Sequence, residues 1–232
     1  RIGGSPRMQE WPLAANGVQQ VFQSSGILLN RLREFLARVQ VDPLLMRRTG
    51  AQGLLLTTDD IRGPYASVRP VLNIRDVFAS GAILFRDTEA LPRARMVYAG
   101  RRTEKYAPDQ VRSDAPPVME RSTLPEKDDG PVAKVALVEE SAARLVYKVD
   151  KTRPAVLVLA DAWYPGWTAT VDGTPADVVR VDGVFRGVEL GEGEHEVVVE
   201  YVPTMLRWGM VISALSAVVV AVGLWRFARQ GA

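Results

Sequence analysis

The chain has 232 residues, no cysteine and a formal net charge of +2. Its 47% hydrophobic and 24% charged content is that of a globular protein and excludes wholesale disorder. The missing cysteines exclude disulfide scaffolds, thiolate metal centres and cysteine nucleophiles. The small net charge hides a strong asymmetry. Residues 1–105 sum to +7, residues 106–203 to −8 and residues 204–232 to +3. Such blocks predict regions with different surroundings. The first residue is Arg1, and the N-terminal residues lack a signal-peptide pattern, so the sequence reads as a piece of a longer protein.

The first hundred residues mix helix and strand signals, predicting a small α+β unit over 1–106. Ser24 to Val39 carries Ile27, Leu28, Leu32, Phe35, Leu36 and Val39 at helical spacing, with Ser24 and Ser25 as candidate caps. Asp42-Pro43 starts a second helix that ends at Gly50. Leu54–Thr58, Ala82–Arg86 and Arg95–Ala99 are strand candidates. Residues 107–131 hold five prolines among polar residues and are expected to form a linker or long loop.

Residues 132–203 read as seven short strands with turn signals about every ten residues, the pattern of an antiparallel β-sandwich. Ala155–Ala160 is wholly apolar, as a strand buried on both faces should be. Asp172-Gly173 and Asp182-Gly183 are reverse-turn pairs, and turn chemistry accounts for both without a calcium site.

Residues 204–232 close the chain. Trp208 to Trp225 runs 18 residues without a charge, with Arg207 before it and Arg226 and Arg229 after it. As a helix it would rise about 27 Å, close to the roughly 30 Å of a hydrocarbon core. Two arginines against one put the C-terminus in the cytoplasm and the rest of the chain outside it. The expected partner here is the lipid bilayer.

Catalytic and cofactor patterns are scarce. His195 is the only histidine; Val199 stands where a zinc-protease helix would need its second one, so a structural role is expected. Gly50-Ala51-Gln52-Gly53 is too short for a phosphate loop and lacks the lysine, and Asp59-Asp60 reads as a solvated loop or a helix cap. The dispersed arginines carry no nucleic-acid signature. No catalytic residue, metal site or cofactor is predicted. The one candidate binding cluster is Trp163, Tyr164 and Trp167 around Pro165-Gly166. Such rings stack on sugars, fill the mouth of a sandwich, or rest on the membrane interface. Arg186 is placed to pair with Asp161 or Asp172, or with an anionic ligand.

Tyr164–Trp167, Val171–Gly173, Phe185–Val188, Gly193–His195 and Tyr201–Pro203, followed by the apolar run, together form an ordered motif series. It resembles the C-terminal extracytoplasmic sandwich of the bacterial YfhO-type membrane proteins. Glu89 to Arg93 resembles the family's Ala-Leu-Pro-Arg element, whereas Asn16-Gly17 lacks the Gly-Tyr-Asp element expected after it. The resemblance implies a polytopic, glycosyltransferase-like membrane protein acting on lipid-linked sugars. This chain would be its non-catalytic last portion, adjoining an upstream membrane region and supporting cell-envelope glycan substrates. A single-pass anchored glycan-binding or scaffold module is the alternative.

Overall fold

Strand β10, Ala155–Ala162, organises the protein because both of its faces are buried. Leu157 and Leu159 point into one apolar cluster and Val156 and Val158 into another, and none of the four retains solvent exposure. A strand turns successive side chains to opposite faces. An uninterrupted apolar run is therefore what a strand sandwiched between two layers requires.

The fold was obtained as a computed structural model, which describes residues 2–4, 30–51, 53–56, 62, 73–77, 83–121, 124–127, 133–150, 153–203, 209–210 and 212–222. Three sheets are present among them. The first, order β1-β2-β4-β3, joins Ile2–Gly4, Gly53–Leu56, Ile83–Arg86 and Asn73–Val77, respectively. The second is six-stranded, order β5-β10-β14-β13-β7-β6. It joins Ala94–Val97, Ala155–Ala162, Phe185–Leu190, Val178–Val181, Val118–Met119 and Arg101–Arg102, respectively. The third is five-stranded, order β12-β11-β15-β9-β8. It joins Thr174–Ala176, Trp167–Val171, His195–Tyr201, Arg144–Val149 and Val135–Glu140, respectively.

The second and third sheets face each other across one core built from Met96, Leu145, Tyr147, Leu157, Leu159 and Val197, among others. On its other face the second sheet carries helix α1 (Asn30–Val41) and the 3-10 helix Pro43–Thr49 through Phe35, Val39, Leu45 and Met46. Phe35 meets Phe185 edge-on at 5.2 Å. The predicted α+β organisation with a β-sandwich is thus present, with a helical layer on its back.

Several local expectations meet the structure in altered form. The segment after Asp42 is 3-10 rather than α, and Gly50 ends it in the left-handed region at φ 73°. Asp42 makes no side-chain cap; its carboxylate accepts from the Ser113 backbone N–H and hydroxyl, both at 2.8 Å. The candidate caps Ser24 and Ser25, and the pair Asp59-Asp60, lie outside the described residues. Residues 107–131 contain the 3-10 turn Pro108–Gln110 and strand β7, and Val111 and Met119 there are fully buried. Pro117 lacks an N–H but its carbonyl accepts from Arg101 N at 2.9 Å.

The predicted membrane-spanning helix is not upheld at full length. Residues 209–210 and 212–222 are helical, and no described helix is long and apolar enough to cross a membrane. The stretch 212–222 rises only about 16 Å, roughly half a hydrocarbon core. Trp208, Trp225 and the flanking arginines lie outside the described residues. Every described side chain of 212–222 is exposed, including Ile212, Leu215, Val218 and Val219.

The two Asp-Gly turns differ in depth. Both have the doubly positive φ of a type I′ hairpin: Asp172 51° and Gly173 78°, Asp182 50° and Gly183 70°. Asp182, however, is completely buried. Its carboxylate accepts from Arg48 Nη1 at 2.8 Å and from the Val118 N–H at 2.9 Å. Arg48 also donates to the carbonyls of Arg112 and Ala115. Arg95, buried beside this pair, donates to the Arg48 and Pro92 carbonyls at 3.1 and 3.2 Å. Burial lowers the Arg95 pKa to about 10, Asp182 opposing and Arg48 adding to the shift. A Cβ on Gly183 would run into the Tyr106 ring.

Removing one partner of a buried ion pair strands the other. Asp182→Ala is expected to cost about 3–5 kcal/mol, the usual penalty for such a stranded charge. Asp172→Ala, in the matching exposed turn, should shift the denaturant midpoint far less. Equal shifts for the two variants would refute the anchoring role of Asp182.

Candidate functional site

The candidate site follows from strand directions. Trp167 at the start of β11 pairs with Tyr201 at the end of β15, so the loop 163–166 and the exit of β15 share one end of the sandwich. The β8–β9 turn joins them there, since Tyr201 N donates to the Ala143 carbonyl at 2.8 Å. Val202 N donates to the Gly166 carbonyl at 2.6 Å. Gly166 has φ 105°, and a Cβ there would come within 2.6 Å of the Tyr201 ring, so only glycine lets the loop close on the strand.

Three rings pack together at this end. Tyr164 and Tyr201 are 5.2 Å apart, Trp167 and Tyr201 5.5 Å, and Tyr164 and Trp167 6.1 Å. The Arg186 guanidinium lies 3.8 Å from the Trp167 ring centre. Its Nη2 is 3.2 Å from Asp161 Oδ2, which decides between the two predicted partners in favour of Asp161. Asp161 also accepts from Arg93 Nε at 3.1 and 3.2 Å, and Arg93 Nη1 reaches Glu140 at 2.5 Å. Burial lowers the Arg186 pKa, with Asp161 opposing. Burial likewise disfavours charge on Arg93, but Asp161 and Glu140 outweigh it and raise its pKa. Burial also raises the Tyr147 phenol beneath them. Arg186 Nε and Nη1 and Trp167 Nε1 are buried without a hydrogen-bond partner.

Trp163 leaves this group. It donates from Nε1 to the Val178 carbonyl at 3.2 Å, and Arg180 covers it at 3.6 Å. The predicted cluster therefore divides: Tyr164, Trp167 and Arg186 assemble with Tyr201, whereas Trp163 pairs with Arg180. An arginine occupies one face of each indole, worth about 0.5–2 kcal/mol per stack. Tyr201, Asp161's link to Arg93 and the Arg180 stack escaped sequence reasoning, because each rests on pairing between distant strands.

The opposite end carries His195. Its Nδ1 lies 2.6 Å from Asp172 Oδ2, and the other Asp172 oxygen accepts from the Glu196 N–H at 2.9 Å. These bonds tie the β11–β12 turn to β15. A hollow of about 370 Å³ beside it is lined by Lys134, Lys148, Asp150, His195 and Glu196, among others. Among the described residues no group of three His, Asp or Glu side chains is arranged to hold a metal ion.

Residues 132–213 match a family model described as the bacterial membrane protein YfhO. The match supports a YfhO-type protein over that stretch. No curated protein and no solved structure matches it. The YfhO-type stretch contains β8 to β15, the three rings and Arg186, and it runs into the exposed apolar helix. Arg93, the second arginine on Asp161, lies upstream of it.

Hydrogen bonding to His195, with the Glu196 N–H, holds Asp172 below its ordinary value of 3.8. A depressed carboxylate adds stability that is present above its unfolded value and is lost as pH falls through the folded one. His195→Gln should return the Asp172 titration toward its ordinary value and flatten the loss of stability below about pH 4. Carboxyl-carbon NMR titration of the two proteins reads this directly; an unmoved Asp172 midpoint contradicts it.

Proposed function

We propose that this chain is the extracytoplasmic sandwich and terminal membrane-inserting helix of a YfhO-type membrane protein. In this reading it is non-catalytic and supports or positions cell-envelope glycan or lipid-linked sugar for the upstream membrane region. The observation that carries it is the helical stretch 212–222, exposed throughout and apolar but for Ser213 and Ser216, following a sandwich with a buried apolar core. About 25 cal/mol for each Å² of apolar surface favours taking such a helix out of water. Continued as a helix over Trp208 to Trp225, the run would reach across a bilayer, and its flanking arginines favour a cytoplasmic C-terminus.

The aromatic end is the proposed glycan contact, through Trp163, Tyr164, Trp167 and Arg186. Sugar C–H faces suit indole surfaces, and the buried donors of Arg186 and Trp167 lack acceptors. A second reading keeps the anchored sandwich but gives it a scaffold role. The arginine stacks favour it, because they already occupy one face of each indole.

Alkaline carbonate extraction tests the anchor: the chain should stay with the membrane pellet, and release into the supernatant would overturn it. Trp163→Ala with Trp167→Ala should weaken retention on cell-envelope polysaccharide by about tenfold, equivalent to about 1.4 kcal/mol. Unchanged retention by the folded double variant gives the rings to the scaffold reading.

A further inference from the structure

The two ends of the sandwich differ in charge. The described turns of the third sheet and its connections at the His195 end carry Asp150, Asp172, Glu192 and Glu194, all exposed, with exposed Lys134 and Lys148 beside them. At the other end the tips are Ser141-Ala142-Ala143 and Tyr164-Pro165-Gly166, which carry no charge. The charged side chains behind those tips are paired with one another: Arg93 with Asp161 and Glu140, Arg144 with Glu139 and Glu200, Arg186 with Asp161. The carboxylates at the aromatic end are thus held in arginine pairs behind uncharged tips, whereas Glu192 and Glu194 project from an exposed turn at the His195 end.

The chain leaves the sandwich at the aromatic end. Tyr201 closes β15, and helical residue Gly209 follows eight residues later, a reach of at most about 28 Å. Tyr164, Trp167 and Tyr201 are half-buried rings with polar handles, the type enriched where apolar and wet surroundings meet.

We propose that the sandwich stands on the membrane by this end, with Tyr164, Pro165 and Tyr201 seated in the phospholipid headgroup layer and the His195 end turned away. This rests on the membrane-inserting reading of the helix. The occupant is the headgroup layer itself, because the uncharged tips offer nothing to select a charged partner and, on the membrane-inserting reading, the chain delivers them to the bilayer surface. The self-paired arginines make the seating indifferent to lipid charge.

The absence of cysteine makes the test direct. Single-cysteine variants Pro165→Cys, Glu192→Cys and Val218→Cys of the full chain, each carrying an environment-sensitive fluorophore, are reconstituted in phosphatidylcholine vesicles. The vesicles carry a quencher either at the headgroup or at mid-acyl chain. The expected result is headgroup quenching at 165 at least threefold above that at 192, acyl-chain quenching at 218, and no change when a fifth of the lipid is phosphatidylglycerol. Quenching at 218 with equal, low quenching at 165 and 192 overturns the seating and leaves the helix reading intact. An unquenched label at 218 overturns both. Headgroup quenching at 165 that appears only with phosphatidylglycerol overturns the charge-indifferent seating.

Discussion

Burial of β10 on both faces is the constraint on which the rest depends. Leu157 and Leu159 hold the third sheet against the second, and Val156 and Val158 hold α1 and the 3-10 helix on its back. Because β10 pairs with β5 on one side and β14 on the other, the segment just upstream of residue 132 and the YfhO-type stretch share one sheet. Those four side chains each bury about 1.5–3 kcal/mol of apolar transfer free energy, so no layer can detach without exposing the strand that joins them.

Charge is handled differently in the two layers. Behind the second sheet, Asp182 is taken wholly and Arg48 almost wholly out of water, and their remaining hydrogen bonds are made to backbone. Such a pair gains little over an apolar replacement but penalises any arrangement that separates its members. It links the 3-10 helix, the Pro-rich stretch and the β13–β14 turn at one point. Within the sandwich, Arg186 and Arg93 converge on Asp161 under the aromatic rings, which closes that end with a neutral network rather than a charged mouth.

The candidate surface is a consequence of strand direction. Antiparallel pairing of β11 with β15 brings the Tyr-Pro-Gly-Trp loop to the place where the chain departs for the apolar helix. The same pairing sends His195 and the acidic turns to the far end. One ordering of strands therefore sets both which turns accompany the chain's exit from the sandwich and which lie at the other end.

Sequence alone determined the apolar strand Ala155–Ala160, the Asp-Gly hairpins, the helix containing Phe35 and Val39, the Gly50 stop and the family resemblance. Each rests on local periodicity, on a backbone conformation that few residues adopt, or on an ordered run of short motifs. Tertiary structure decided what depends on distant partners. Asp172 and Asp182 occupy identical dipeptides, yet one is an exposed hairpin tie and the other a buried anchor, because only the second meets an arginine from the helical layer. Trp163 and Trp167 stand four residues apart but are covered by different arginines, Arg180 and Arg186, set side by side by the β13–β14 register. Local chemistry writes turns and strands into the sequence; which charge is buried and which arginine covers which ring depend on partners from other elements, up to 134 residues away for Asp182.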